Sequence, residues 1–186
     1  MINLINPNIL KLLIFFSDSP GRKYLRNEIK SATGFNNVVL DDSLTILVHS
    51  KFLLIEKKLY YLSLENEELK FFLKEIKKTF LKLPLEISFL IIDFINRIQK
   101  FREVKQGFIF GSYAKLIYHK DSDVDIAIII DKGTNPKIKK TISIMAEKIS
   151  KKYKKEIQEH FFTIEDLKEK GDPLIKDLLR NNIEII

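Results

Sequence analysis

Gly107-Phe108-Ile109-Phe110-Gly111-Ser112-Tyr113-Ala114-Lys115 carries a short apolar strand straight into a glycine-serine turn, and Asp121-Ser122-Asp123-Val124-Asp125 then leads into a second apolar run over 126–130. The order strand, turn, helix, carboxylates, strand decides how the C-terminal half is read. A glycine directly after a strand lets the backbone come close to a phosphate, and the amides that open the next helix offer donors and the positive end of its dipole. Ser112 adds a hydroxyl. Residues two apart on a strand point the same way, so Asp123 and Asp125 project together while Val124, Ile126 and Ile128 face the other side. Paired carboxylates bind Mg²⁺, which bridges the phosphates of a nucleoside triphosphate, orients an attacking hydroxyl and stabilises the leaving pyrophosphate.

Ser112, ten residues, then Asp123-x-Asp125 resembles the hallmark of the DNA polymerase beta superfamily of nucleotidyltransferases, and Gly-Ser-Tyr-Ala-Lys is similar to the version in its minimal members. The resemblance covers roughly residues 84–186. It implies that Gly111 and Ser112 hold the triphosphate, that Lys115 reaches phosphate, and that Asp123 and Asp125 are the catalytic metal ligands of a site for two Mg²⁺ ions. Leu116 departs from the pattern, because the family commonly has Gly there. The superfamily also draws a third carboxylate from the next strand, which the alternation of 156–162 places with Ile157 and Phe161 on one face and Glu156, Gln158 and His160 on the other. The matching position falls near Gln158, whose amide cannot act as a base and binds Mg²⁺ weakly. A register slip would bring in Glu159 or Glu156, so the third ligand stays open among these residues. His160 reads as a surface or supporting histidine before it reads as a base.

Outward from this core, Asn135-Pro136 opens a helix with Ile138, Ile142, Met145 and Ile149 on one side. Thr163-Ile164-Glu165-Asp166 and Asp172-Pro173 are helix-capping sequences, and 181–186 reads as a final strand or arm. The lysines 151, 152, 154 and 155 read as a solvated helix end before they read as a phosphate-binding patch.

Towards the N-terminus, Ile9, Leu12, Leu13 and Phe16 form a helical stripe broken by Ser17-Asp18-Ser19-Pro20-Gly21. A second helix is expected over 24–30, a turn at Thr33-Gly34, and a third helix on Leu40, Leu44 and Leu47. Residues 52–55 and 59–62 flank the charged turn Glu56-Lys57-Lys58 as a hairpin. This order is similar to the winged helix-turn-helix family, whose third helix enters the DNA major groove. At its exposed early turns stand Asp41 and Asp42, which phosphate repels, so double-stranded DNA and protein both remain as partners of this module. Two further apolar stripes, 69–83 and 87–101, are separated at Leu83-Pro84.

The expected fold class is therefore α/β, in the α+β sense. A winged helix spans 1–65, a linking helix 66–83, and a nucleotidyltransferase domain with a short mixed β-sheet flanked by helices 84–186. The absence of cysteine excludes disulfides, thiolate metal sites and cysteine nucleophiles. A net charge of +7 suits nucleotide or nucleic acid partners, but the excess is spread along the chain and selects no face. The apolar stretch 85–95 is too short to span a bilayer and is broken by Glu86 and Asp93, and no signal peptide pattern is present, so a soluble cytoplasmic protein without a membrane partner is expected. By its resemblance the chain is expected to be a Mg²⁺-dependent nucleotidyltransferase that moves a nucleoside monophosphate from NTP, with ATP the expected donor, to a hydroxyl. Minimal nucleotidyltransferases are often the antitoxin partners of HEPN-family ribonuclease toxins, and some act by transferring AMP to a toxin tyrosine, so the resemblance implies such a toxin as partner. The competing expectation is a DNA-binding transcriptional regulator whose nucleotidyltransferase domain senses nucleotide or is catalytically inactive.

Overall fold

The computed structural model describes residues 6–80, 82–169 and 171–186; residues 1–5, at the start of the expected N-terminal module, and positions 81 and 170 lie outside the described residues. The chain divides into two compact units, Met1–Ile92 and Asp93–Ile186.

In the first unit, α1 (Pro7–Asp18) starts with Asn6 accepting the Asn8 amide at 2.8 Å, and with Pro7 where a missing N–H does no harm. Beyond the expected stripe, Leu10, Ile14, Phe15 and even Lys11 are buried, so α1 is enclosed on nearly all sides. The Lys11 ammonium lies over the rings of Phe35 and Phe89, at 5.3 and 4.9 Å from their centroids.

Next come β1 (Tyr24–Leu25), α2 (Arg26–Thr33), α3 (Asn37–His49) and the hairpin β2 (Leu53–Glu56) and β3 (Leu59–Leu62). The helix expected over 24–30 needs correction at its start. Tyr24 and Leu25 are extended and pair with Tyr60 and Leu59 of β3. Packing overrides helical spacing here: the Tyr24 ring sits 4.6 Å from Phe15 and 5.5 Å from Phe16, and Glu28 takes the Leu25 amide at 2.7 Å, so the helix begins at Arg26. The three strands run antiparallel in the order β1-β3-β2. Gly34 ends α2 in the left-handed region at φ 68°. Lys57 and Lys58 both have positive φ, 48° and 67°, the shape of the two-residue turn that matches strand twist.

The helices α4 (Glu67–Thr79) and α5 (Leu85–Ile98) follow, and the division between the units falls within α5. Phe101, included in the stripe over 87–101, lies past the end of α5, its amide bonded back to the Ile98 carbonyl. Among the described residues no helix is long and apolar enough to cross a membrane.

The second unit is built on β4 (Val104–Ile109), the single turn α6 (Gly111–Ala114), β5 (Val124–Ile130), α7 (Pro136–Tyr153), β6 (Ile157–Phe162), α8 (Pro173–Arg180) and β7 (Ile183–Glu184). Its sheet is mixed, in the order β6-β5-β4-β7, with β5 and β6 parallel and the other pairs antiparallel. As a central strand β5 is buried along its length except at Asp125, which accounts for its nearly unbroken apolar sequence. Asn135 caps α7, and Thr163 and Asp166 exchange bonds in the expected capping box, Asp166 Oδ2 accepting the Thr163 amide at 2.7 Å and Thr163 Oγ1 accepting the Asp166 amide at 3.2 Å. The C-terminal end is a strand: β7 pairs with β4, and the Ile185 amide reaches the Gly107 carbonyl at 2.8 Å.

Candidate functional site

At the C-terminal end of β4, Phe110 leaves the sheet, and its amide donates to the Asp125 carbonyl at 3.1 Å. Gly111 follows with φ +66°, and a Cβ built on it would collide with Asp125 Oδ2. Glycine is required twice over, by its left-handed backbone and by the carboxylate packed on its Cα. Gly111 is also the first of the four residues of α6, whose opening amides have no carbonyl partner within the turn. Ser112 is half-buried, and its carbonyl accepts the Ile117 amide at 3.0 Å. The bend and the strand that carries Asp125 thus meet without an intervening side chain.

Asp123 stands just ahead of β5 and Asp125 is its second residue. Burial pushes the Asp125 carboxyl above its usual range; His160 pulls it down, and the charges of Asp123 and Asp177 push it further up. The parallel register sets Gln158 beside Asp125. Its Nε2 donates to Asp123 Oδ2 at 2.7 Å. Of the residues left open for the third ligand, Gln158 is therefore the one at the Asp pair. Glu156 and Glu159 line a groove with Ser143, Glu147, Ser150 and Lys151 along α7. Among the described residues no group of three His, Asp or Glu side chains is placed to hold a metal ion. The pair that remains fits a cation that brings its own phosphate and water oxygens, because Mg²⁺ needs only one or two protein carboxylates when a nucleotide supplies the rest.

Lys115 projects from the end of α6, but its Nζ is engaged by Asp177 Oδ1 of α8 at 2.7 Å, and this bond is the first cause of a lowered Asp177 carboxyl. The pairing could not be read from the chain: 62 positions separate the partners, and Asp177 belongs to no motif. His160, read from the sequence as a surface or supporting histidine, comes close to Asp125. Its Nε2 lies 3.7 Å from Asp125 Oδ1 and is buried with no hydrogen bond, while its ring meets Phe110 edge-on at 5.2 Å. Leu116, where the resemblance expects Gly, has φ +58° and is exposed. The backbone keeps the glycine-like shape without the glycine.

The family model described as "Polymerase beta, Nucleotidyltransferase" matches residues 91–186, just over half of the chain. The chain belongs to this nucleotidyltransferase family. The matched region holds the bend, both aspartates and Gln158. Two solved structures are similar to part of this nucleotidyltransferase. One, described as "Crystal structure of the toxin-antitoxin with AMP-PNP", is 17% identical, covers 51% of this chain and 68% of that chain, and has a TM-score of 0.38. The other, of a mutant of the toxin-antitoxin MntA-HpeT, is 14% identical, covers 50% and 68%, and has a TM-score of 0.36. A comparison with curated proteins gives no match.

Proposed function

We propose that the nucleotidyltransferase unit binds Mg²⁺-ATP and transfers its nucleoside monophosphate to a hydroxyl on a partner protein, a toxin of the HEPN type. The observation that carries this reading is the contact of the Asp125 carboxylate with the Gly111 backbone, which brings a metal-binding oxygen to the bend that would cradle the phosphates. In this reading Gly111 and Ser112 hold the triphosphate, Lys115 neutralises phosphate charge, and Asp123 and Asp125 hold the cation that arrives with it. When bound, that cation supplies charge neutralisation at the phosphates. The acceptor oxygen forms a bond to the α-phosphorus, the bond from that phosphorus to the bridging oxygen breaks, pyrophosphate leaves with the electron pair, and the hydroxyl proton passes to water.

Transfer of label from α-labelled ATP to the co-purified partner tests the proposal. Label that disappears in Asp123→Ala/Asp125→Ala supports it, and no transfer to any acceptor with wild-type protein removes it.

A second reading, a winged-helix regulator that senses nucleotide, is favoured by the order α1-β1-α2-α3-β2-β3 with sheet order β1-β3-β2. On α3, however, Asn37, Val38, Asp41, Asp42, Thr45 and Ile46 are exposed, and Arg26 is held against Asp41 by bonds of 2.6 and 2.8 Å. That face supports protein docking better than phosphate binding.

A further inference from the structure

On the nucleotide-binding reading above, we infer that Gln158 limits the centre to a single divalent cation, the one that travels with the triphosphate. The register fixes Gln158 directly beside Asp125, and its amide nitrogen is on Asp123 Oδ2 at 2.7 Å. A carboxylate in this place would add a negative charge and two cation-binding oxygens. The amide adds no charge, turns a donor towards the metal-binding group, and occupies a lone pair of Asp123. Two cations held about 3.5–4 Å apart repel strongly and need shared anionic ligands between them. Asp123 and Asp125 provide two negative charges from the protein, and the triphosphate's own charge is committed to the cation that it carries. Neither nearby glutamate compensates, because Glu156, just ahead of β6, and Glu159 on it line the groove along α7, and among the described residues no third metal-binding side chain joins the pair. The consequence is a site that retains Mg²⁺-nucleotide while the acceptor hydroxyl meets no second cation to lower its pKa. Nucleotide binding is preserved and transfer is slow.

Counting bound Mn²⁺ by electron paramagnetic resonance, on the full chain with a non-hydrolysable ATP analogue, tests this apart from turnover. Wild type takes up one Mn²⁺ per chain, and Gln158→Glu takes up two, the second with affinity raised on the order of tenfold or more and a spin-coupled signal between the ions. Gln158→Asp provides the same measurement should the longer acid disturb folding. Two Mn²⁺ ions on wild type, or one on both folded variants, overturn the inference while leaving the nucleotide-binding reading in place. Failure of wild type to bind the analogue at all overturns both.

Discussion

Burial raises the Asp125 carboxyl, so the folded chain holds a proton there more tightly than the unfolded chain does. For a carboxyl raised in this way, stability is greatest below the unfolded value and is lost as pH rises through the higher folded value. Replacing the ionised side chain by a neutral isostere removes that loss. Asp125→Asn should therefore melt a few degrees above wild type at pH 8, with the difference shrinking as pH falls towards 4; thermal melts across that range check it, and a pH-independent gain contradicts it. The same variant should lose the stabilisation that wild type gains from Mg²⁺ and an ATP analogue, which reaches about 2.7 kcal/mol when ligand is at 100 times its Kd. Gly111 is the complementary case. Gly111→Ala forces a side chain against Asp125 Oδ2 at a backbone angle suited to glycine, so a loss of about 1–3 kcal/mol in urea unfolding is expected together with loss of nucleotide binding. Ser112→Ala, with an ordinary helical backbone, should weaken binding while leaving stability within about 0.5 kcal/mol.

Elements show where local preference and tertiary demand disagree. In the turn between β2 and β3, Lys57 and Lys58 hold left-handed backbones that cost L residues roughly 1–2 kcal/mol each, and nothing in the turn's sequence announces it. Lys57→Asn/Lys58→Gly should raise the urea midpoint by an amount worth about 1 kcal/mol or more with an unchanged slope; a lower midpoint would mean that the lysines make contacts the turn needs. The link between α6 and α8 makes a functional prediction. Asp177→Asn releases Lys115 from its ion pair and should tighten ATP analogue binding on the order of threefold by calorimetry, whereas weaker binding would mean that Asp177 positions the lysine for phosphate. These cases mark what the chain discloses. The bend and the placement of both aspartates around it were legible because they stand at short, fixed spacing, and the central strand because Val124 and the run 126–130 leave little else it can be. The strand at Tyr24, the Lys115–Asp177 pair and the approach of His160 to Asp125 were not, since each depends on partners brought together only by the sheet and the packing around it. Gln158 lies between these cases. Its alternation on β6 was readable, but its bond to Asp123 required the parallel register of β5 and β6.

At the scale of the molecule, a net charge of +7 invites the expectation of tight binding to nucleic acid, yet binding depends on cations gathered on one face. On the first unit two cations are already answered: Arg26 of α2 pairs with Asp41 of α3, and Lys23 pairs with Glu56 of β2 at 2.6 Å. Asp42 remains exposed on the same helix. A protein that docks a helix in the major groove with 6–10 phosphate contacts shows a slope of log K against log salt of roughly −5 to −9. With Arg26 and Lys23 paired and the other basic groups spread along the chain, this protein should show a slope shallower than about −3 on duplex DNA, with no preference between sequences, in fluorescence anisotropy between 50 and 200 mM salt. Asp41→Asn should steepen that slope by about one contact, since it releases Arg26 to meet a phosphate. A steep slope with sequence preference in the wild-type chain would instead make α3 a groove-reading helix and move the first unit from protein docking to DNA recognition.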